Sequence, residues 1–325
     1  MTAPTPAPQR RILLGDLLDF TADPGFVAPQ EAAGVRWRPD HRVLIEQGRI
    51  QQVLGPGEAL PEGWQGVAVE AHPGRLIMPG FIDTHVHCPQ LDVIASFGTE
   101  LLDWLNTYTF PAERRYADPA VSQAGAQRFL NALWAHGTTS AVVFPTVHKV
   151  SAEALFEQAG ARQMRLVTGK VLMNRHAPDG LRDDVEQAER DCEDLIARFH
   201  GQHRQAFAVT VRFAPTSTPE QLRMAGGLCQ RHAGTYMQTH VAENRDEVRW
   251  VAELYPDARS YLDVYDRDGL IGPRAVLAHG IWLDERDRAV LREHGAQIAH
   301  SPSSNLFLGS GLFDWAQAQR EGVAV

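Results

Sequence analysis

The sequence predicts an α/β chain: a (β/α)8 barrel of the TIM type, its eighth strand cut short, behind a small β-sandwich-like N-terminal domain. Three observations carry this expectation. Short, wholly apolar runs alternate with longer helical stretches from residue 76 onward. Histidines fall at the C-terminal ends of several of those runs. The first 75 residues, by contrast, read as short strands broken by dense Pro and Gly, and are assigned to a separate domain at 1–75 with a loose tail at 1–10.

Within that first segment, 11–18 reads as a strand. Residues 41–47 and 49–54 around Gly48 read as a β-hairpin, since alternating apolar residues flanking a glycine turn are its usual signature. From 76 the apolar runs are 76–82, 139–144, 166–173, 207–213, 235–239, 275–278 and 296–299. The helices between them include 122–135, 152–160, 184–200, 219–232 and 284–294. Apolar strands joined by helices indicate a parallel sheet covered on both faces. Seven strand–helix steps, with 322–325 opening an eighth strand, favour a barrel over an open sheet. The barrel is assigned to 76–325. An open doubly wound sheet would carry a glycine-rich phosphate loop, and the only approach to one, Gly309 and Gly311, reads as a turn.

Bulk properties remove several function classes. Apolar residues make up 44% and charged residues 22% of the 325, as in ordinary globular chains. A net charge of -9 argues against a nucleic-acid partner. No apolar run is long enough for a membrane helix, and residues 1–10 lack the pattern of a signal peptide. Three scattered cysteines form neither a CxxC pair nor a disulfide framework, which suits a reducing cytoplasm.

In barrels the chemistry gathers at the C-terminal strand ends. Strand one finishes with His85 and His87, strand five with His240, strand six with His279 and strand seven with His300. Side chains two apart on a strand share a face, so His85 and His87 can grip one ion, with His240 as a third ligand. Three imidazoles leave a position open for water, as a catalytic zinc requires. A single histidine at a strand end is more often structural, and His300 is assigned that way. Glu243, three residues past His240, is placed to carry a proton to a substrate ring, whereas Asp246 and Glu247 read as solvated loop residues.

The lead-in MPGFIDTHVH at 78–87 resembles the opening of the amidohydrolase superfamily. Within it, LDWLNTYTFPAE at 102–113, HCPQ at 87–90, RFAPTST at 212–218, THVAE at 239–243 and SPSSNLFLGSG at 301–311 resemble guanine deaminases, over residues 40 to 325. The resemblance implies a hydrolase that converts guanine and water to xanthine and ammonia, with one zinc (or ferrous) ion per chain, a small purine substrate, no nucleic-acid or membrane partner, and a homodimer. Glu243 would protonate N3, and His279 would hold the water or steady the charged intermediate. Gln90 and Arg212 would read the purine's polar edge, with Phe213 against the ring. Arg212 reads alternatively as a salt-bridged arginine closing strand four. Trp104 and Phe110 read either as packing or as a cover over the substrate. Asn174 and His176 depart from the family's Asp and Asn there, and predict an altered site mouth.

The family's strand eight ends in an aspartate that ligates the metal and deprotonates the water, and no such residue is present. The expectation is that these 325 residues are part of a longer enzyme, impaired by themselves. Sibling substrates (a triazine, cytosine or an adenosine-type ring) and a non-catalytic fragment of the fold remain open readings.

Overall fold

The computed structural model describes residues 9–24, 31–97 and 101–325. The loose tail expected at 1–10 falls, through residue 8, outside the described residues. The chain divides into two compact units, one ending at Gly80 and one running from Phe81 to Val325.

The first unit is a four-stranded sheet in the order β3-β2-β1-β4. Strands β1 (Arg10–Phe20), β2 (Val35–Glu46) and β3 (Arg49–Leu54) are antiparallel, and β4 (Val69–Ile77) runs parallel to β1. The hairpin turns through Gln47 and Gly48, both at positive φ (52° and 72°). That is the two-residue geometry whose twist matches the flanking strands, and it favours glycine at the second position. Ile12, Leu44, Leu54 and Trp64 form its small core.

The second unit is a nearly closed ring of parallel strands. They are β5 (Phe81–His87), β6 (Thr138–Phe144), β7 (Arg165–Thr168), β8 (Val171–Leu172), β9 (Gln205–Val211), β10 (Tyr236–Val241), β11 (Ala275–His279) and β12 (Gln297–Ala299). The order is β12-β11-β10-β9-β7-β6-β5, with β8 continuing the third position beside β9. A parallel bridge from Gln297 to Ala324 begins the eighth position. Helices return the chain between strands, among them Pro119–Ala135, Lys149–Ala161, Val185–Phe199, Pro219–Arg231 and Glu285–His294.

One predicted strand is redrawn. The apolar run 76–82 divides between the end of β4 and the start of β5. Pro79 and Gly80 separate the two, because proline cannot donate to a ladder and glycine weakens it. The first barrel strand therefore reaches through His87, with both metal-candidate histidines inside it.

Every residue of β9 is buried, as expected of a strand covered on both faces. Polar side chains inside the ring bond within it: Gln238 donates to the Val143 backbone carbonyl and to the Thr210 hydroxyl, both at 2.9 Å. The third strand breaks at Gly169, where a Cβ would stand 2.0 Å from the Ala208 carbonyl oxygen. Only glycine permits so close a backbone approach. Among the described residues no helix is long and apolar enough to cross a membrane.

Gly169→Ala is expected to destabilise the barrel by roughly 2 kcal/mol or more, since overpacking against backbone cannot be relieved by a rotamer change. Gly160→Ala, near the end of the Lys149–Ala161 helix and meeting only an ordinary 3.6 Å contact with His203, should be neutral or stabilise by up to about 1 kcal/mol. Urea unfolding of the two variants checks the contrast.

Candidate active site

The C-terminal ends of the barrel strands surround a cavity of about 460 Å³, within the usual range for small-molecule sites. Strand alternation turns His85 and His87 of β5 to the same side, and β10 brings His240 against them. Ring centroids lie 5.1 Å apart for His85–His87, 4.6 Å for His85–His240 and 5.1 Å for His87–His240. One ring nitrogen from each lies within 4.8 Å of the others, a set able to hold a metal ion. His87 Nε2 and His240 Nε2 approach to 3.0 Å.

Burial, the neighbouring imidazoles and the Arg212 charge hold His87 and His240 well below the usual histidine range, and His85 likewise. All three are therefore neutral near pH 7, the form that offers a lone pair to a metal. His240 Nδ1–H donates to the Arg212 carbonyl oxygen at 2.6 Å. This fixes the tautomer and turns Nε2 toward the other two rings, as partners of metal-bound histidines do. The neutral nitrogen donors fit zinc, and ferrous iron as well.

Phe144, the last residue of β6, packs against all three rings and stacks on His87 at 4.6 Å. Sequence reasoning assigned it no role, although its place at a strand's C-terminal end was the available signal. His279 closes β11 beside the set, 5.4 Å from the His85 ring and 5.5 Å from His240. Its Nδ1–H donates to Asn305 Oδ1 at 2.8 Å, so its Nε2 faces Glu243 Oε2 at 3.4 Å. The other Glu243 oxygen accepts from Ser310 Oγ at 3.2 Å. Asn305 and Ser310 give the 301–311 segment a physical purpose at the site. His300 packs against the rings of Phe313 and Trp315 and lines the wall.

Glu247 is the main departure from expectation. It is 1% exposed and lines the cavity with Glu243, which is 3% exposed. Burial pushes both carboxyls up to about 7, and the charge of Glu243 adds to the effect on Glu247. Burial disfavours the charged form of a carboxyl, so Glu243 holds its proton to higher pH than an exposed glutamate does.

Gln90 sits in the short Cys88–Val93 turn after β5 and lines the same cavity, as do Trp104, Arg212 and Phe213. The indole of Trp104 donates to the Ser96 carbonyl at 3.1 Å and packs with Phe110 and Phe213, so Trp104 is both packed and cavity-lining. Arg212 is likewise salt-bridged and cavity-lining. Its Nη1 donates to both oxygens of Glu113, at 2.6 and 2.8 Å, in a fully buried pair. Asp83, within β5, lines the cavity and accepts from the His85 backbone N–H at 3.0 Å. Asn174 and His176 instead brace a neighbouring loop. Asn174 exchanges bonds with Thr218, and His176 Nδ1–H donates to the Pro215 carbonyl.

The amidohydrolase family model matches residues 76–325. The chain is 43% identical to guanine deaminase of Escherichia coli (strain K12) over 302 residues, covering 91% of this chain and 68% of that one. It is 40% identical to a probable guanine deaminase of Deinococcus radiodurans, covering 78% of this chain and 57% of the relative. The chain thus spans between about half and two thirds of the length of these relatives. The structure is similar to that of guanine deaminase from C. acetobutylicum with bound guanine in the active site, with a TM-score of 0.89 and 27% identity over 98% of this chain and 73% of that one.

Zinc chloride is expected to raise the midpoint of thermal unfolding by about 5 °C or more at saturating metal, because a ligand that binds only the folded state stabilises it. His87→Ala should remove most of that rise, which calorimetric scans with and without the metal will read.

Proposed function

The chain belongs to the amidohydrolase family, and from that premise we propose that it carries out the hydrolytic deamination of guanine to xanthine and ammonia, with zinc as its ion. The observation that supports this best is the convergence of one buried carboxyl, Glu243, with Gln90, Arg212 and three neutral imidazoles around one cavity.

In this reading His85, His87 and His240 would hold the zinc, which when bound would supply a Lewis acid that lowers the pKa of a water. Arg212 and Gln90 read the carbonyl and ring nitrogens along the purine's polar edge. Phe213 and Trp104 cover its apolar face. Such a site rejects rings lacking the matching acceptors, because its buried donors would be left unpaired. Glu243 gives its proton to N3 as water adds at C2. Glu243, now a carboxylate, takes a proton from the added water and passes it to the amine as the C2–N bond breaks, then recovers the remaining C2 hydroxyl proton as the xanthine carbonyl forms, so one guanine and one water become one xanthine and one ammonia and Glu243 ends protonated. His279, oriented by Asn305, holds the attacking water in line and steadies the charge that develops on its oxygen.

Incubation of the zinc-loaded protein with guanine, followed by ultraviolet absorbance and ammonia release, tests the proposal. Guanine is expected to be consumed in preference to cytosine, adenosine and a chlorotriazine. Glu243→Gln, which keeps the shape but not the transferable proton, should lower kcat by about 10²–10⁴-fold at unchanged zinc content. A different preferred ring, or a Glu243→Gln variant as active as the parent, overturns the reading.

A further inference from the structure

Glu247 occupies a position where a capping-box glutamate would be unremarkable, the third residue of the Arg245–Leu254 helix. An ordinary one lies at the surface and returns a single bond to the N-cap. Here the carboxyl group is buried and accepts three bonds. Its Oε2 accepts from the backbone N–H of Glu243 at 3.0 Å and from that of Asn244 at 3.1 Å. Its Oε1 accepts from the Tyr261 hydroxyl at 2.6 Å.

The backbone it grips is strained. Ala242 stands at φ 48°, immediately before Glu243, and His279 at φ 75° on the adjacent strand end. Such conformations persist in non-glycine residues only where the surroundings over-determine them, and they cluster at functional sites. The Trp282 N–H donates to the Ala242 carbonyl at 3.0 Å, and the Gly280 N–H to that of Val241 at 3.0 Å, holding one side of the turn. Glu247 holds the other.

The short Tyr261–Asp266 helix supplies both supports. Tyr261 bonds Glu247, and Tyr265 one turn later donates to the His240 carbonyl at 2.8 Å and accepts from the Ala214 N–H at 2.8 Å. The helix thus reaches the main chain on both sides of the strained turn, at His240 and, through Glu247, at Glu243.

We propose that Glu247 is a positioning residue: its buried carboxyl group clamps the Glu243–Asn244 backbone, with Tyr261 behind it, so that the Glu243 carboxyl is aimed at the substrate ring. This rests on the reading of Glu243 as the proton carrier. A helix cap alone would give stability, whereas a clamp gives direction to one side chain. The two roles separate in kcat, and in the local protection of two amides.

The experiment compares Glu247→Ala, Glu247→Gln and Tyr261→Phe in the zinc-loaded full chain, reading amide hydrogen exchange at Glu243 and Asn244, steady-state kinetics on guanine, and xanthine affinity. Glu247→Ala should speed exchange at those amides by about tenfold or more and lower kcat by about 10²-fold, with KM and xanthine affinity within about threefold. Glu247→Gln keeps an acceptor oxygen, and should retain protection and recover kcat to within about tenfold of the parent. Tyr261→Phe should fall between them, and carries the test with Glu247→Gln if Glu247→Ala does not fold. Unchanged kcat with exposed amides overturns the proposal, as does Glu247→Gln losing kcat as fully as Glu247→Ala while its amides stay protected. A parent protein inert toward guanine counts against the proposed activity alone, and the exchange data still decide whether Glu247 clamps the turn.

Discussion

The 2.6 Å hydrogen bond from His240 to the Arg212 carbonyl joins three parts of the molecule at one residue. On the backbone side it fixes the imidazole tautomer, so that the remaining nitrogen faces His85 and His87. On the side-chain side, Arg212 lines the cavity and its guanidinium meets Glu113 from the 102–113 segment. A buried arginine without its carboxylate would be costly, by about 3–5 kcal/mol for a broken buried pair. The three-imidazole corner, the buried Arg212–Glu113 pair and the segment carrying Trp104 and Phe110 are therefore not independently adjustable.

Around that junction the site collects groups that burial drives to neutrality. Three imidazoles lose their protons more readily and two carboxyls keep theirs longer, for the same reason: charge is expensive where water is excluded. The outcome suits hydrolysis of a flat heterocycle. The nitrogen lone pairs are free to bind a cation, and a carboxyl beside them still has a proton to give near neutral pH. Strained residues at Ala242 and His279 mark where the barrel departs from regular geometry to bring these groups together.

Much of this was legible in the sequence. Strand alternation and the position of histidines at apolar run ends located His85, His87, His240 and His279, and the spacing from His240 located Glu243. The barrel followed from apolar runs alternating with helices. What escaped depended on contacts between residues far apart in the chain. Glu113 and Arg212 are separated by 99 positions, and nothing local to the 102–113 segment announces the pair. Glu247 looked solvated because its neighbours are polar, and the Tyr261 hydroxyl that meets it in the interior lies on the following helix. Phe144 looked like one more apolar strand residue until the fold set it against three imidazoles. The boundary between β4 and β5 was missed because apolar residues flank Pro79 and Gly80 on both sides, so the break shows in backbone chemistry and not in hydropathy.

X-ray absorption at the zinc edge, recorded on the zinc-loaded protein, tests the central claim most directly. The account predicts three imidazole nitrogens at about 2.0–2.1 Å from the ion, with one of them lost in His240→Ala and none in His300→Ala. Sulfur ligation, fewer than three imidazoles, or a spectrum insensitive to His240→Ala would contradict it.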